Sequence, residues 1–457
     1  MGYNIFVHIH FIGIGGIGVS ALAKYHLSDG DTVSGSDLAP SEITTELARG
    51  GARIVVGTHS AFNIPPETDA VIYTAAAPKS NPELKEARRR KLNIRSYAEA
   101  VGDLTRQFKT VTVSGAHGKS TTTALVALVL EEGYCDPTVI IGTKVREFGD
   151  SNFRQGRGAH LVLEADEWDR SFLNYWPQIA VITNIDAEHL DTYKTVEGVE
   201  DAFVKYLAKV PRDGAIIANA DDPRASRIVK KFRKKVVWYS QKDRAAAAVR
   251  NVLKVPGAHN VSNALAALTV GRTLGIAEPD ILRAISRFRG TWRRFEFKGF
   301  FTPVRSPTSN SSNRGNGALI FSDYGHHPRE ISATLAAARE RFPLRRVWCV
   351  FQPHQYQRLK HLWGDFLGAF DLADRVCLLP VYDVAGRETK SAKRAVNSVK
   401  LAHALQERGK NAWHAASFDH AKTFLHAELR RGDVVLTMGA GDIYLLTNQL
   451  TKGTSEV

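Results

Sequence analysis

The sequence predicts an α/β protein made of three parallel-sheet domains, and three observations lead there. Short apolar, β-branched runs alternate with helical patterns along nearly all of the 457 residues. Two of these runs break into glycine-rich turns that open helices, one after Phe11 and one after Ser114. The alternation restarts near Lys109 and again after a Ser/Asn/Gly-rich stretch from Arg305 to Gly317, which reads as a mobile loop. The expected domains are a Rossmann-like one over 1–105, a central phosphate-loop type over 106–292 and a second Rossmann-like one over 293–457.

In the first domain a strand is expected over Ile5–Phe11, followed by Gly13-Ile14-Gly15-Gly16-Ile17-Gly18 and a helix through Leu27. This is a GxGxxG turn, whose glycines permit a tight bend and close approach to a phosphate. Asp37 follows about twenty residues on, after a strand over Thr32–Ser36, where a ribose-binding acid belongs. A strand over Ala70–Thr74 and a helix over Pro82–Lys91 continue the pattern.

The central domain opens with Val111-Thr-Val-Ser-Gly-Ala-His-Gly-Lys-Ser-Thr-Thr-Thr123, a strand breaking into a loop that ends in Gly118-Lys119-Ser120. Glycines there let backbone N–H groups turn toward phosphate oxygens, Lys119 can sit against β/γ charge, and the Ser120 hydroxyl can ligate Mg²⁺. The expected ligand is ATP, although Val113 stands where the standard loop begins with glycine. Further strands are expected over Ala159–Leu163, Ile179–Thr183 and Gly214–Ala218, and helices over Asn260–Gly275 and Pro279–Phe288. In the third domain, strands are expected over Ala318–Phe321, Arg346–Phe351, Arg375–Leu379 and Val434–Met438.

Carboxylates collect at strand ends beside the phosphate loop. Glu164-Ala165-Asp166-Glu167 follows one strand, and Asn184-Ile185-Asp186-Ala187-Glu188-His189 follows the next. Such crowding is costly without a neutralising cation. Two neighbouring strands aiming acids and an imidazole at one sheet edge fit a Mg²⁺-nucleotide site better than two solvated loops.

Bulk properties set limits on the rest. A 44% hydrophobic, 24% charged chain is globular, and Cys135, Cys349 and Cys377 are scattered without CxxC spacing, which suits buried thiols in a reducing, cytoplasmic compartment. No apolar run is long enough for membrane insertion. The net charge of +14 gathers partly in Arg88–Lys91 and Lys230–Lys235, but Phe232 alone is interleaved there, so solvated faces are expected and no nucleic-acid partner.

The ordered motifs GIGGIG with GSD at 35–37, GAHGKSTTT, EADE, TNIDAEHLDTY, HNVSNALAAL, RRFE, DYGHHP, FQPH with Arg358, and GAGDIY resemble the Mur ligases over nearly the whole chain, and within them the alanine-adding branch. The resemblance implies that ATP phosphorylates the lactyl carboxylate of UDP-N-acetylmuramate, and that the amino group of L-alanine then displaces phosphate in a step of peptidoglycan synthesis. It further implies that Gly115, Ala116, His117, Gly118, Lys119, Ser120 and Thr121 cradle ATP, with Lys119 on the β/γ-phosphates. Ser120 and Glu164 would serve one Mg²⁺ and His189 a second. Asn260 and Asn263 would lie by the adenine, Arg294 on the phosphates and Asp323 on ribose or phosphate. His327 or His326 would lie near the amino acid, whose carboxylate Arg358 would grip.

In the first domain, Gly15, Gly16, Ile17, Gly18, Asp37 and Thr74 would bind the UDP-sugar. The chain departs from the family pattern at Gln355, where an arginine is expected, and at Thr74-Ala75, where two serines are. A Mur ligase with another acceptor, such as the tripeptide-recycling branch, is the nearest alternative. An NAD-dependent oxidoreductase would share the first glycine turn and Asp37, but the Gly-Lys-Ser loop argues against it. An idle UDP-sugar-binding homologue would not need Lys119, Glu164 and His189. Closure of the domains at hinges near 105 and 293 would keep water from the acyl phosphate.

Overall fold

Apolar β-branched runs form the inner strands, since strands covered by helices on both faces are buried on both faces. The computed structural model describes residues 7–186, 190–301, 317–383 and 390–451. The first sheet has β1 (His8–Ile12), β2 (Thr32–Asp37), β3 (Arg53–Val56), β4 (Ala70–Tyr73) and β5 (Asn93–Ser96) in the order β3-β2-β1-β4-β5, all parallel. Strand order reverses beside β1, so the glycine turn after β1 opens at the point where α/β sheets commonly receive ligands.

The second sheet comprises β6 (Lys109–Ser114), β7 (Thr138–Val145), β8 (Ser151–Arg154), β9 (His160–Glu164), β10 (Ile179–Ile182), β11 (Ala215–Asn219) and β12 (Lys235–Tyr239), ordered β12-β11-β10-β6-β9-β7-β8. β6 lies between β10 and β9, with Ser114 opposite Ile182 and Val113 opposite Glu164. The phosphate loop and both acid clusters therefore leave one sheet edge together. The sheet is not wholly parallel as expected, because β8 runs antiparallel to β7. Gly149 (φ 72°) and Asp150 (φ 56°) take left-handed backbone there and reverse the chain.

The third sheet holds β13 (Glu296–Phe301), β14 (Ala318–Asp323), β15 (Val347–Phe351), β16 (Arg375–Leu378), β17 (Ala412–His414) and β18 (Val434–Met438), ordered β13-β14-β18-β15-β16-β17. It is parallel except at β13, which pairs antiparallel with β14. Apart from Gly317, the polar stretch 305–317 lies outside the described residues.

The chain divides into two compact units, one of Met1–Lys254 with Asn260–Thr291 and one of Val255–His259 with Trp292–Val457. The first carries two sheets, and a contiguous apolar cluster joins Ile9, Phe11 and Leu22 from one to Leu161, Phe172 and Tyr175 from the other. Behind the phosphate loop, the helix Lys119–Glu132 is buried at every position from Ser120 to Leu130. Each fully buried valine or leucine there contributes roughly 1.5–3 kcal/mol, which anchors the loop at its C-terminal side. In the second unit Cys349 and Cys377 are buried free thiols, and Cys135 of the first unit is half-buried. Among the described residues no helix is long and apolar enough to cross a membrane.

Candidate active site

The phosphate loop is shaped by glycines that no other residue could replace without movement. Gly118 (φ 81°) caps the helix Lys119–Glu132, and a Cβ on it would fall 2.4 Å from Asn263 Oδ1. Gly115 (φ 136°) is equally constrained, with Thr183 Oγ1 at 2.3 Å from where its Cβ would be. The loop is tied to the end of β10: Asn184 Oδ1 accepts from His117 N at 2.9 Å, and the Thr183 hydroxyl and Asn184 Nδ2 donate to the His117 carbonyl at 2.8 and 2.9 Å. Ala116, Lys119, Ser120 and Thr121 follow in the same turn, so the predicted cradle residues are together. Asn263 packs on this loop and donates to Asn260 Oδ1 at 3.5 Å, both amides being buried.

Lys119 resolves the crowding of acids. Its ammonium donates to the Gly115 carbonyl at 2.8 Å and to both oxygens of Glu167 at 3.0 and 3.2 Å, with Asp166 at 3.5 Å. Burial opposes the ammonium, but the fields of Glu167, Asp166 and Glu164 outweigh it and raise the lysine pKa. Burial also pushes Glu167 upward, against Lys119. Both shifts are upward, the lysine's favouring its charged form and the glutamate's its neutral one, and three oxygens within 3.2 Å of the ammonium favour the protonated lysine. The Lys119 ammonium thus supplies one of the cationic charges that the crowded acids require.

Glu164 is held differently. It accepts from the Ser120 hydroxyl at 3.0 Å and from Gly142 N at 2.8 Å, so these two predicted metal residues are adjacent. On the neighbouring strand end Asp186 lies 3.8 Å from His117 Nε2 and accepts from Arg224 at 3.2 Å. His189 lies outside the described residues. Asn184, which ties down the loop, and Glu167, which pairs with Lys119, are the two side chains at this site to which the sequence assigned no role of their own. Both stood inside quoted motifs, and their position at strand ends was the available signal.

The first glycine turn brings its predicted residues together as well. Gly15 N donates to Asp37 Oδ2 at 2.8 Å, so the acid that resembled a ribose ligand braces the turn. Thr74, at the end of β4, packs on Gly13 (φ 77°), where a Cβ would meet its methyl at 2.5 Å. Gly16 caps the helix Ile17–Asp29, and Ile17 and Gly18 form its first turn.

In the second unit a separate cluster forms around Glu330. Arg294 reaches Glu330 Oε1 at 3.3 Å and lies over the Tyr324 ring at 5.2 Å, and His326 approaches Glu330 Oε2 at 3.4 Å. His326 packs edge-on to His354, which stacks on Tyr382 and receives Arg358 Nη1 at 3.3 Å. His326 and Arg358 thus share one cluster, whereas His327 caps the helix Pro328–Arg341 through Nδ1, 3.3 Å from Arg329 N. Both Asp323 oxygens are occupied by backbone, Oδ2 by Phe295 N at 2.8 Å and Oδ1 by Gly325 N at 2.7 Å. Arg293, unlike Arg294, is buried and donates to the carbonyls of Gly439 and Gly441. Gln355 begins the helix Tyr356–His361 at φ 71°, ψ 125°, a strained backbone for a non-glycine residue.

Family models match in chain order: the Mur ligase family catalytic domain over 8–109, the Mur ligase middle domain over 113–271 and the Mur ligase glutamate ligase domain over 310–441. The chain belongs to the Mur ligase family. Among Mur ligases, it is 36% identical to a UDP-N-acetylmuramate–L-alanine ligase of Alkaliphilus metalliredigens over 97% of this chain and 96% of that one. It is 38% identical to the enzyme of the same name from Desulforapulum autotrophicum over 97% and 98%. The crystal structure of UDP-N-acetylmuramate-alanine ligase MurC from Thermotoga maritima matches with TM-score 0.78 at 30% identity, covering 97% and 98%. A murein peptide ligase of Psychrobacter arcticus shares the fold, with TM-score 0.68 at 21% identity over 99% and 100%.

Proposed function

We infer that this Mur ligase joins L-alanine to the lactyl carboxylate of UDP-N-acetylmuramate at the expense of ATP, in the cytoplasmic stage of peptidoglycan synthesis. The observation that carries the reading is end-to-end similarity to ligases of that name, combined with a phosphate loop whose lysine, serine and strand-end carboxylate are adjacent.

The chemistry asks for charge neutralisation and positioning more than for a nucleophilic side chain. The lactyl carboxylate attacks the γ-phosphorus in line, ADP leaves, and an acyl phosphate results. The alanine amine then attacks the acyl carbon, and inorganic phosphate leaves as the amide forms. On this reading Lys119 exchanges Glu167 for the β/γ-phosphates, and the amides of 116–121 bind phosphate oxygens at the helix N-terminus. Asn260 and Asn263 border the adenine. Asp37 orders the glycine turn that holds the UDP diphosphate, with Thr74 behind it.

Ser120 and Glu164 are hard oxygen donors side by side, which suits Mg²⁺ held by few protein groups and by phosphates. Such an ion supplies neutralisation of the charge that develops on the transferring phosphoryl group. Arg358, oriented by His354, supplies a bidentate site for the alanine carboxylate. His326 shares that cluster, while Arg294 and Asp323 support it through Glu330 and the backbone.

The test is ADP release with Mg-ATP and UDP-N-acetylmuramate, comparing L-alanine, glycine, L-serine and a tripeptide, with product masses determined. Turnover dependent on L-alanine is expected. Turnover only with another acceptor would reassign the specificity and point to Gln355, and no turnover with any acceptor would overturn the ligase reading.

A further inference from the structure

The rings around Arg358 extend to a tyrosine outside every motif singled out in the sequence. His354 follows β15 and Tyr382 follows β16, the neighbouring strand, and the two segments stay paired beyond the sheet. Tyr382 N donates to the Pro353 carbonyl at 2.8 Å and Gln355 N donates to the Tyr382 carbonyl at 3.1 Å, so backbone bonds on either side of His354 set the two side chains level. The second of these bonds also holds Gln355 at its positive φ of 71°. The rings stack with centroids 5.5 Å apart and planes 10° from parallel, an offset arrangement of the favoured kind.

A glycine makes room for the tyrosine. A Cβ on Gly441 would fall 2.6 Å from Cγ and 2.7 Å from Cδ2 of Tyr382, so the ring occupies space that a side chain there would take. Gly441 belongs to the Gly-Ala-Gly-Asp-Ile-Tyr motif over 439–444, and that loop is itself fixed. Arg293 donates to the Gly441 carbonyl at 3.1 Å, Gln352 Nε2 donates to Asp442 at 2.8 Å, and Ile443 N donates to Gln352 Oε1 at 3.1 Å. Loop, tyrosine and histidine form one packed support.

The support ends at the guanidinium. Arg358 Nη1 lies 3.3 Å from His354 Nδ1, and because arginine can only donate, that nitrogen accepts and the imidazole carries its proton on Nε2. The stack fixes the plane of the imidazole, and the hydrogen bond selects which nitrogen meets the arginine. Bidentate capture of a carboxylate depends on the plane of the rigid guanidinium fork, so whatever orients His354 orients the fork.

We propose that Tyr382, stacked on His354 in the space left by Gly441, is a positioning residue of the amino-acid site, holding Arg358 in the plane that receives the carboxylate of the incoming amino acid. The proposal rests on reading Arg358 as the anchor of that carboxylate. Tyr382 acts through His354 and takes no part in the chemistry, so its effect falls on affinity for the amino acid and not on phosphoryl transfer.

The test is Tyr382→Leu in the full-length enzyme, with initial rates of ADP release measured while L-alanine, Mg-ATP and UDP-N-acetylmuramate are varied in turn. Losing one aromatic stack predicts a rise of roughly 3–10-fold in KM for L-alanine, with kcat and the other two KM values within about twofold of the wild type. Tyr382→Phe, which keeps the stack, is expected to restore the wild-type KM, and Tyr382→Leu is expected to add nothing to the loss caused by His354→Ala. Gly441→Ala displaces the ring independently and is expected to give the same selective rise, which carries the test where Tyr382→Leu does not fold. A merely structural tyrosine would move kcat and all three KM values together. That pattern, an unchanged KM for L-alanine, or a loss additive with that of His354→Ala would overturn the proposal and leave the ligase reading intact. If Arg358→Ala leaves KM for L-alanine unchanged, the reading of Arg358 falls and the proposal falls with it.

Discussion

Glu83 shows how far a single residue can depart from what its type suggests. It is fully buried beneath the first sheet, yet it accepts from His10 at 2.9 Å, Ser36 at 2.7 Å, His59 at 2.7 Å and Asn63 at 2.9 Å. Burial alone would raise its pKa, but these donors overcome desolvation and bring it down to about 2. Because the folded value lies below the unfolded one, the native state binds fewer protons in acid. The stabilisation is complete above about pH 4.5 and is lost as pH falls toward 2. The shift corresponds to roughly 3 kcal/mol. Glu83→Gln is expected to lose about 2–3 kcal/mol at pH 7 by urea denaturation, with a difference from wild type that shrinks between pH 5 and 3. A difference independent of pH would assign the loss to packing. Nothing in the sequence marked Glu83, because its donors come from residues 20 to 73 positions away. Lys119 was legible, since glycine hinges and the following serine identify a phosphate loop locally; its partner Glu167 was visible as an acid but not as the lysine's counter-ion.

Among the elements, the two glycine turns were the most legible, because their pattern lies in consecutive residues. The expected helices over 260–275 and 279–288 are found at Ala258–Thr273 and Glu278–Arg287, and the strand expected over Gly214–Ala218 is Ala215–Asn219. The antiparallel additions β8 and β13 were missed, since a short edge strand carries little periodic signal and its direction depends on the turn before it. β12 was hidden by the lysine run that precedes it, and its Trp238 is partly exposed. Element geometry makes its own prediction at the phosphate loop. Gly118→Ala places a methyl 2.4 Å from Asn263 Oδ1 at a backbone φ of 81°. The strain of about 1–3 kcal/mol has to be relieved by moving the loop or Asn263. A fall of tenfold or more in affinity for an ATP analogue is expected, measured by calorimetry, with the UDP-sugar affinity retained. Unchanged ATP-analogue binding would show that the loop conformation is not what holds the nucleotide.

At the scale of the molecule, the three α/β repeats legible in the sequence correspond to three sheets, whereas packing gathers them into two compact units. Repeats are read from local alternation, but the joining of the first two sheets depends on side chains far apart in sequence. Asn152 in β8 donates to the Ile17 carbonyl at 2.6 Å and to Ser20 at 2.9 Å, and accepts from Lys24 at 2.9 Å, across more than 125 residues. With Arg106 and Lys209 against Trp176, and one shared apolar cluster, the first two sheets have the contacts of a single cooperative body. The second unit has apolar clusters of its own, around Phe351 and Leu378 on one sheet face and Trp348 and Ile320 on the other. Two bodies with separate cores need not unfold together. Scanning calorimetry is expected to resolve two transitions, and an ATP analogue at a hundred times its Kd should stabilise the unit holding Lys119 by about 2.7 kcal/mol. Asn152→Ala should lower that unit's transition and leave the other in place. A single transition whose calorimetric and van't Hoff enthalpies agree would mean that the whole chain unfolds as one, and the division into two bodies would then describe its geometry but not its cooperativity.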